Sequence, residues 1–135
     1  MLSGNNFTQS ITIPTGNTGA QDVATIQVKP NNAVGGQVSY VLFTPDGTSS
    51  TEAVAGLVIF CVSMAPDGTL GGAVYATVTA NGGVDAMGTL TWAVNVSGTL
   101  PIITAAWAPD DSTSDAVLAF AVNYYGGTNG GGIFP

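Results

Sequence analysis

The stretch GLVIFCVSMAPDGTLGGAVYATVT, residues 56–79, decides the fold class. Within 56–64, Leu57, Ile59 and Cys61 fall on one side of an extended chain and Val58, Phe60 and Val62 on the other. Side chains of a strand alternate with period two, so neither side of this one suits water. It reads as the central strand of a sheet covered on both faces. Pro66-Asp67-Gly68 then stops it. Proline presets φ, aspartate bonds the backbone two residues on, and glycine takes the exit. A second strand over 72–79 completes a hairpin pattern.

The same grammar extends in both directions. Over 7–13, Phe7, Gln9, Ile11 and Ile13 alternate with Thr8, Ser10 and Thr12; over 22–29, Ala24, Ile26 and Val28 oppose Thr25 and Gln27. Pro30-Asn31-Asn32 and Gly35-Gly36 read as breaks, with further strands over 37–44, 86–96, 102–108 and 116–125. In 86–96, Leu90, Trp92 and Val94 form one side and Thr89, Thr91 and Asn95 the other, which makes Trp92 a core residue. The run 116–125 is apolar both ways, Leu118, Phe120 and Val122 against Val117, Ala119 and Ala121. Pro45-Asp46-Gly47 and Pro109-Asp110-Asp111 are relatives of the first turn. Residues 50–55 and 112–118 each allow at most one helical turn. Eight strands between turn signals predict an all-β fold, a single antiparallel β-sandwich of jelly-roll or immunoglobulin-like type over residues 1–125.

Chemistry is scarce along this chain. Its 135 residues include no histidine, no arginine, one lysine (Lys29), one cysteine (Cys61) and one glutamate (Glu52). Enzymes draw most acid–base groups and nucleophiles from that set, so packing, assembly or recognition is expected rather than catalysis. Charged residues make up 7% of the chain, against about 25% in ordinary soluble domains. A net charge of −7 argues against nucleic acid as a partner and against docking on an anionic membrane. The start shows no basic region followed by an apolar one, hence no visible secretory signal. The apolar run 54–62 is too short to span a bilayer. Cys61, inside that run, is expected to be a buried small hydrophobe.

Candidate sites follow from the apolar excess. One side of each doubly apolar strand belongs to the sandwich core; the other needs a loop or another subunit, which nominates Leu57, Ile59, Val117 and Ala119 as interface residues. Residues 126–135 form a glycine-rich arm ending in Ile133 and Phe134. Ordering such an arm costs about 1–2 kcal/mol per residue, so it should gain backbone hydrogen bonds as a strand added to a sheet edge. A neighbouring subunit gripping Ile133 and Phe134 is the expected anchor, and the chain's own domain the alternative. Trp107, Tyr124 and Tyr125 are candidate ligand contacts that could stack on a sugar. Asp110, Asp111 and Asp115 could offer oxygen ligands to calcium, but aspartate recurs in turns for backbone reasons, and no cofactor is expected.

The signal-free start, low charge, Thr/Gly/Ala/Val strands, Pro-Asp-Gly turns and glycine-rich arm together resemble small bacteriophage virion proteins. These are head decoration or cement subunits and the β-sandwich modules of tail fibres and spikes. The resemblance covers the whole chain, and no functional residue is carried over from it. It implies a sandwich that is homo-oligomeric, often trimeric, attached to a larger viral shell or tail at the virion surface. The expected role is structural: stabilising a capsid or completing an appendage. The alternatives are a receptor- or carbohydrate-binding module with a glycan as partner, and a cell-surface filament or adhesin subunit.

Overall fold

Alternation divides each strand into two sides, and the packing of the sheets settles which of them is buried. A computed structural model describes residues 4–14, 19–44, 53–81, 89–98, 100–108, 115–126 and 132–134. Among these lie β1 (Gly4–Ile13), β2 (Gln21–Gln27), β3 (Asn32–Phe43), β4 (Ala53–Met64), β5 (Leu70–Asn81), β6 (Thr89–Asn95), β7 (Ile102–Ala108), β8 (Ala116–Gly126) and β9 (Gly132–Phe134), with no helix. A five-stranded sheet runs β1-β8-β3-β4-β5 and a four-stranded sheet β6-β7-β2-β9. The fold is an all-β sandwich of antiparallel strands.

Even-numbered residues of β3, β4 and β8 turn inward: Val38, Tyr40 and Leu42, then Val58, Phe60 and Val62, then Leu118, Phe120 and Val122. From the facing sheet Ile26, Trp92, Ile103 and Trp107 close the same core. Fully burying one such side chain contributes about 1.5–3 kcal/mol. Aromatic rings bridge the two layers, with the Tyr40 and Trp92 centroids 5.1 Å apart at an interplanar angle of 44°. Phe7 of β1 meets Phe120 of β8 edge-on at 6.5 Å.

The pairing is nested. β1 pairs with β8 and β2 with β7, the wrapping of a long hairpin over itself seen in jelly rolls. An immunoglobulin sandwich instead places its first two strands side by side in one sheet. β3, β4 and β5 then run on as a meander within the larger sheet.

Local chemistry accounts for the connections. Between β4 and β5, the Gly68 N–H donates to the Ala65 carbonyl at 2.9 Å and the Ala65 N–H to the Thr69 carbonyl at 2.9 Å. The Thr69 N–H donates to the Asp67 carboxylate at 3.0 Å, which holds that carboxyl below the ordinary aspartate range. Gly68 has φ of 89°, the left-handed exit of a three-residue hairpin loop that glycine takes without steric cost. The turns at 45–47 and 109–111 lie outside the described residues.

One expectation needs correction and two are narrowed. Gly35-Gly36 does not break the chain but lies inside β3, which runs unbroken over Asn32–Phe43. A Cβ at Gly36 would collide with the Asn123 carbonyl of β8, so this glycine permits close approach of two strands rather than a turn. Of the stretches allowed at most one helical turn, Ala53, Val54 and Ala55 belong to β4 and Ala116, Val117 and Leu118 to β8, while 50–52 and 112–114 lie outside the described residues. For the arm, the chain's own domain, the alternative anchor, provides the strand pairing observed. β9 adds to the edge of the chain's own β2, with Ile133 opposite Ile26 and Phe134 opposite Thr25.

Two tests follow from the packing around Tyr40. A Cβ at Gly56 would meet the Tyr40 hydroxyl at 2.5 Å and the Thr77 carbonyl closer still, so Gly56→Ala should cost about 1–3 kcal/mol in denaturant titrations. Burial raises the Tyr40 pKa above its ordinary value, and the Trp92 indole offsets this only in part; that indole N–H falls short of hydrogen-bond geometry to any partner. The fold thus keeps the Tyr40 proton more tightly than the unfolded chain does. Its contribution is whole below the ordinary tyrosine value of about 10 and is lost as pH rises through the raised one. Thermal midpoints should decline above that pH, and less steeply in Tyr40→Phe.

Candidate functional site

The outward residues of the larger sheet form its distinctive surface. Register aligns them into rows: Asn6, Asn123, Gln37, Ile59 and Tyr75 in one, Thr8, Ala121, Ser39, Leu57 and Thr77 in the next, then Ser10, Ala119, Val41 and Ala55. None of the five strands contains an aspartate, glutamate, lysine or arginine. Exposed large hydrophobic residues concentrate here, with Val41 41%, Ile59 52%, Tyr75 69% and Tyr125 54% accessible; Leu100, between β6 and β7, is another. Two shallow depressions cross the face. One, of about 590 Å³, is bounded by Asn6, Gln37, Asn123, Ile59 and Tyr125. The other, of about 830 Å³, spreads over Ser10, Ser39, Val41, Leu57 and Ala119.

This surface can bury apolar area without stripping water from any charge, a step that would cost several kcal/mol. Its three carboxamides, on Asn6, Asn123 and Gln37, supply neutral donors and acceptors along one row. Both properties suit contact with a neutral surface.

Four of the nominated interface residues, Leu57, Ile59, Val117 and Ala119, come together on this face. Ile133 and Phe134 do not join them, since β9 belongs to the other sheet. Cys61 corrects its expectation: it is exposed on this face, because the phase of alternation sends Val58, Phe60 and Val62 into the core instead. Trp107 and Tyr124 also correct theirs. Trp107 is 3% and Tyr124 8% accessible, so neither presents a ring to a ligand, and Tyr125 alone of the three is exposed. Trp107 is covered because it shares the inward phase of β7 with Ile103 and Ala105 and enters the core between the two sheets. Asp110 and Asp111 lie outside the described residues, while Asp115 sits exposed just before β8. Among the described residues no three acidic, cysteine or histidine side chains gather as a metal site would require. Asn6, Gln37, Val41, Tyr75 and Asn123 were not legible as site residues, since only strand order brings them together.

No protein-family model matches the chain, and no curated protein matches it. Solved structures do share its fold. The tailspike protein of Acinetobacter baumannii phage AM24 superposes with a TM-score of 0.50 at 11% identity, over 91% of this chain and 26% of that one. The tailspike of Acinetobacter phage vB_ApiP_P1 gives 0.51 at 12% identity, over 84% of this chain and 21% of that one. The chain therefore spans about a quarter or less of the length of these tailspikes. At such identities the likeness is one of fold.

Adjacent residues of β4 offer a direct check on which side is core. Phe60→Ala should lose about 3–5 kcal/mol of folding stability. Ile59→Thr, one residue away on the outer face, should stay within about 0.5 kcal/mol of the native protein, as read by urea midpoints.

Proposed function

We propose that this chain is a structural β-sandwich module of a phage tail appendage, a tailspike or fibre, and that it works by packing rather than catalysis. The observation that carries the reading is the match of its sandwich, over 91% of its length, to a segment of a phage tailspike. Two features of the chain agree with it. Apart from its carboxylates the chain has few acid–base residues, with no histidine and one basic residue. The larger sheet, with no charge on its strands, offers an extended neutral contact surface. The virion tail is the location that follows, ahead of the capsid surface.

A second reading is favoured by one observation. Tyr125, 54% accessible, borders the depression that Asn6, Gln37 and Asn123 also line. A phenol ring beside carboxamides suits the ring face and hydroxyls of a neutral sugar, which would make the module a glycan contact within the appendage. Loss of glycan-array binding in Tyr125→Ala would support that reading, and an unbound array would dispose of it.

Immunogold labelling of intact particles tests the main proposal: label is expected on the tail. Label on the head would return a capsid decoration role, and unlabelled particles would overturn both. Because the apolar face carries no charge, attachment within the appendage should change little between low and moderate salt. A steep loss of attachment with salt would instead assign it to the acidic turns.

A further inference from the structure

We infer that the outer face of the five-stranded sheet is the docking surface for a second copy of this chain, the faces of neighbouring copies meeting each other. This rests on the structural reading above and names the partner through which such a module would assemble. Three observations converge on it.

Apolar exposure is concentrated on one side of the molecule. Val41, Ile59, Tyr75 and Tyr125 all project from this face, whereas outward positions of β6 are Thr89, Thr91, Ala93 and Asn95. A contiguous patch of this kind on a folded domain marks an interaction site, and tyrosine is among the residues enriched in interface cores. The β1 margin carries Asn6, Thr8, Ser10 and Thr12, the polar rim that commonly surrounds such a core.

Charge selects the occupant. The chain carries −7 overall, so two copies repel one another wherever their acidic turns approach. On this sheet neither copy contributes a charge, and copies meeting here avoid both repulsion and the burial of an unpaired carboxylate. A strongly charged partner would find no counter-charge on the strands. Anionic lipid would find no cation.

The area is also sufficient. Five strands about 4.8 Å apart, each presenting about 33 Å of length, outline a face of roughly 800 Å². That is about the area each partner contributes to a stable interface of standard size. Sheets stack face to face at about 10 Å, a separation that side chains of this size fill.

The test is the mass of the purified 135-residue chain by light scattering across micromolar concentrations, with Cys61 as a built-in reporter of the face. A dimer is expected, with maleimide labelling of Cys61 slowed at least about tenfold relative to Ile59→Asp. Ile59→Asp should weaken association by roughly 100-fold or more, because it buries an unpaired charge, while circular dichroism stays native. Tyr75→Asp, at a site 69% accessible, repeats the test should Ile59→Asp fail to fold. Thr91→Asp on the other sheet should leave the mass unchanged. A monomer whose Cys61 labels as fast as in Ile59→Asp overturns the inference, as does an assembly broken by Thr91→Asp but not by Ile59→Asp. Tail labelling together with a monomeric chain would defeat the docking surface alone; assembly through this face without virion labelling would defeat the appendage reading alone.

Discussion

Everything in this protein depends on burying one side of β3, β4 and β8 against the four-stranded sheet. Those three strands form the middle of the larger sheet, and their inward residues are almost entirely aliphatic or aromatic. Period-two alternation then constrains the rest. With Val58, Phe60 and Val62 committed to the core, Leu57, Ile59 and Cys61 have only the outer face to occupy. The surface read as functional is therefore the other side of the same choice that makes the core.

The layer contact has little tolerance for change. Gly56 holds its place because the Tyr40 ring and the Thr77 carbonyl occupy the space a side chain would need. Tyr40 in turn lies against Trp92 across the interior. A buried tyrosine hydroxyl and a buried indole N–H are unusual tenants of an apolar core, and here they sit where the two sheets approach through aromatic rather than aliphatic groups. Gly36 plays the corresponding part within the sheet, letting β3 and β8 close up at Asn123. Backbone pairing and apolar contact thus carry the fold, with almost no charge to assist them.

Cohesion that does not rest on ion pairs is insensitive to screening. Segments of two phage tailspikes share this architecture.

The sequence by itself determined the all-β class, the strand centres and the Pro66-Asp67-Gly68 hairpin, because period-two patterning and turn chemistry are local properties. It also determined that Leu57 and Ile59 share one side and Val58 and Phe60 the other. It could not say which side faced water, since both are apolar; Cys61 was read as buried and is exposed. Tertiary structure made that choice through the order of strands. Packing of the two sheets buried Trp107, while strand order placed β9 on β2 of its own chain and drew Asn6, Gln37 and Asn123 into one row. Contacts between residues far apart in sequence follow from pairing, and pairing is set by the joint burial of all the strands rather than by any one of them.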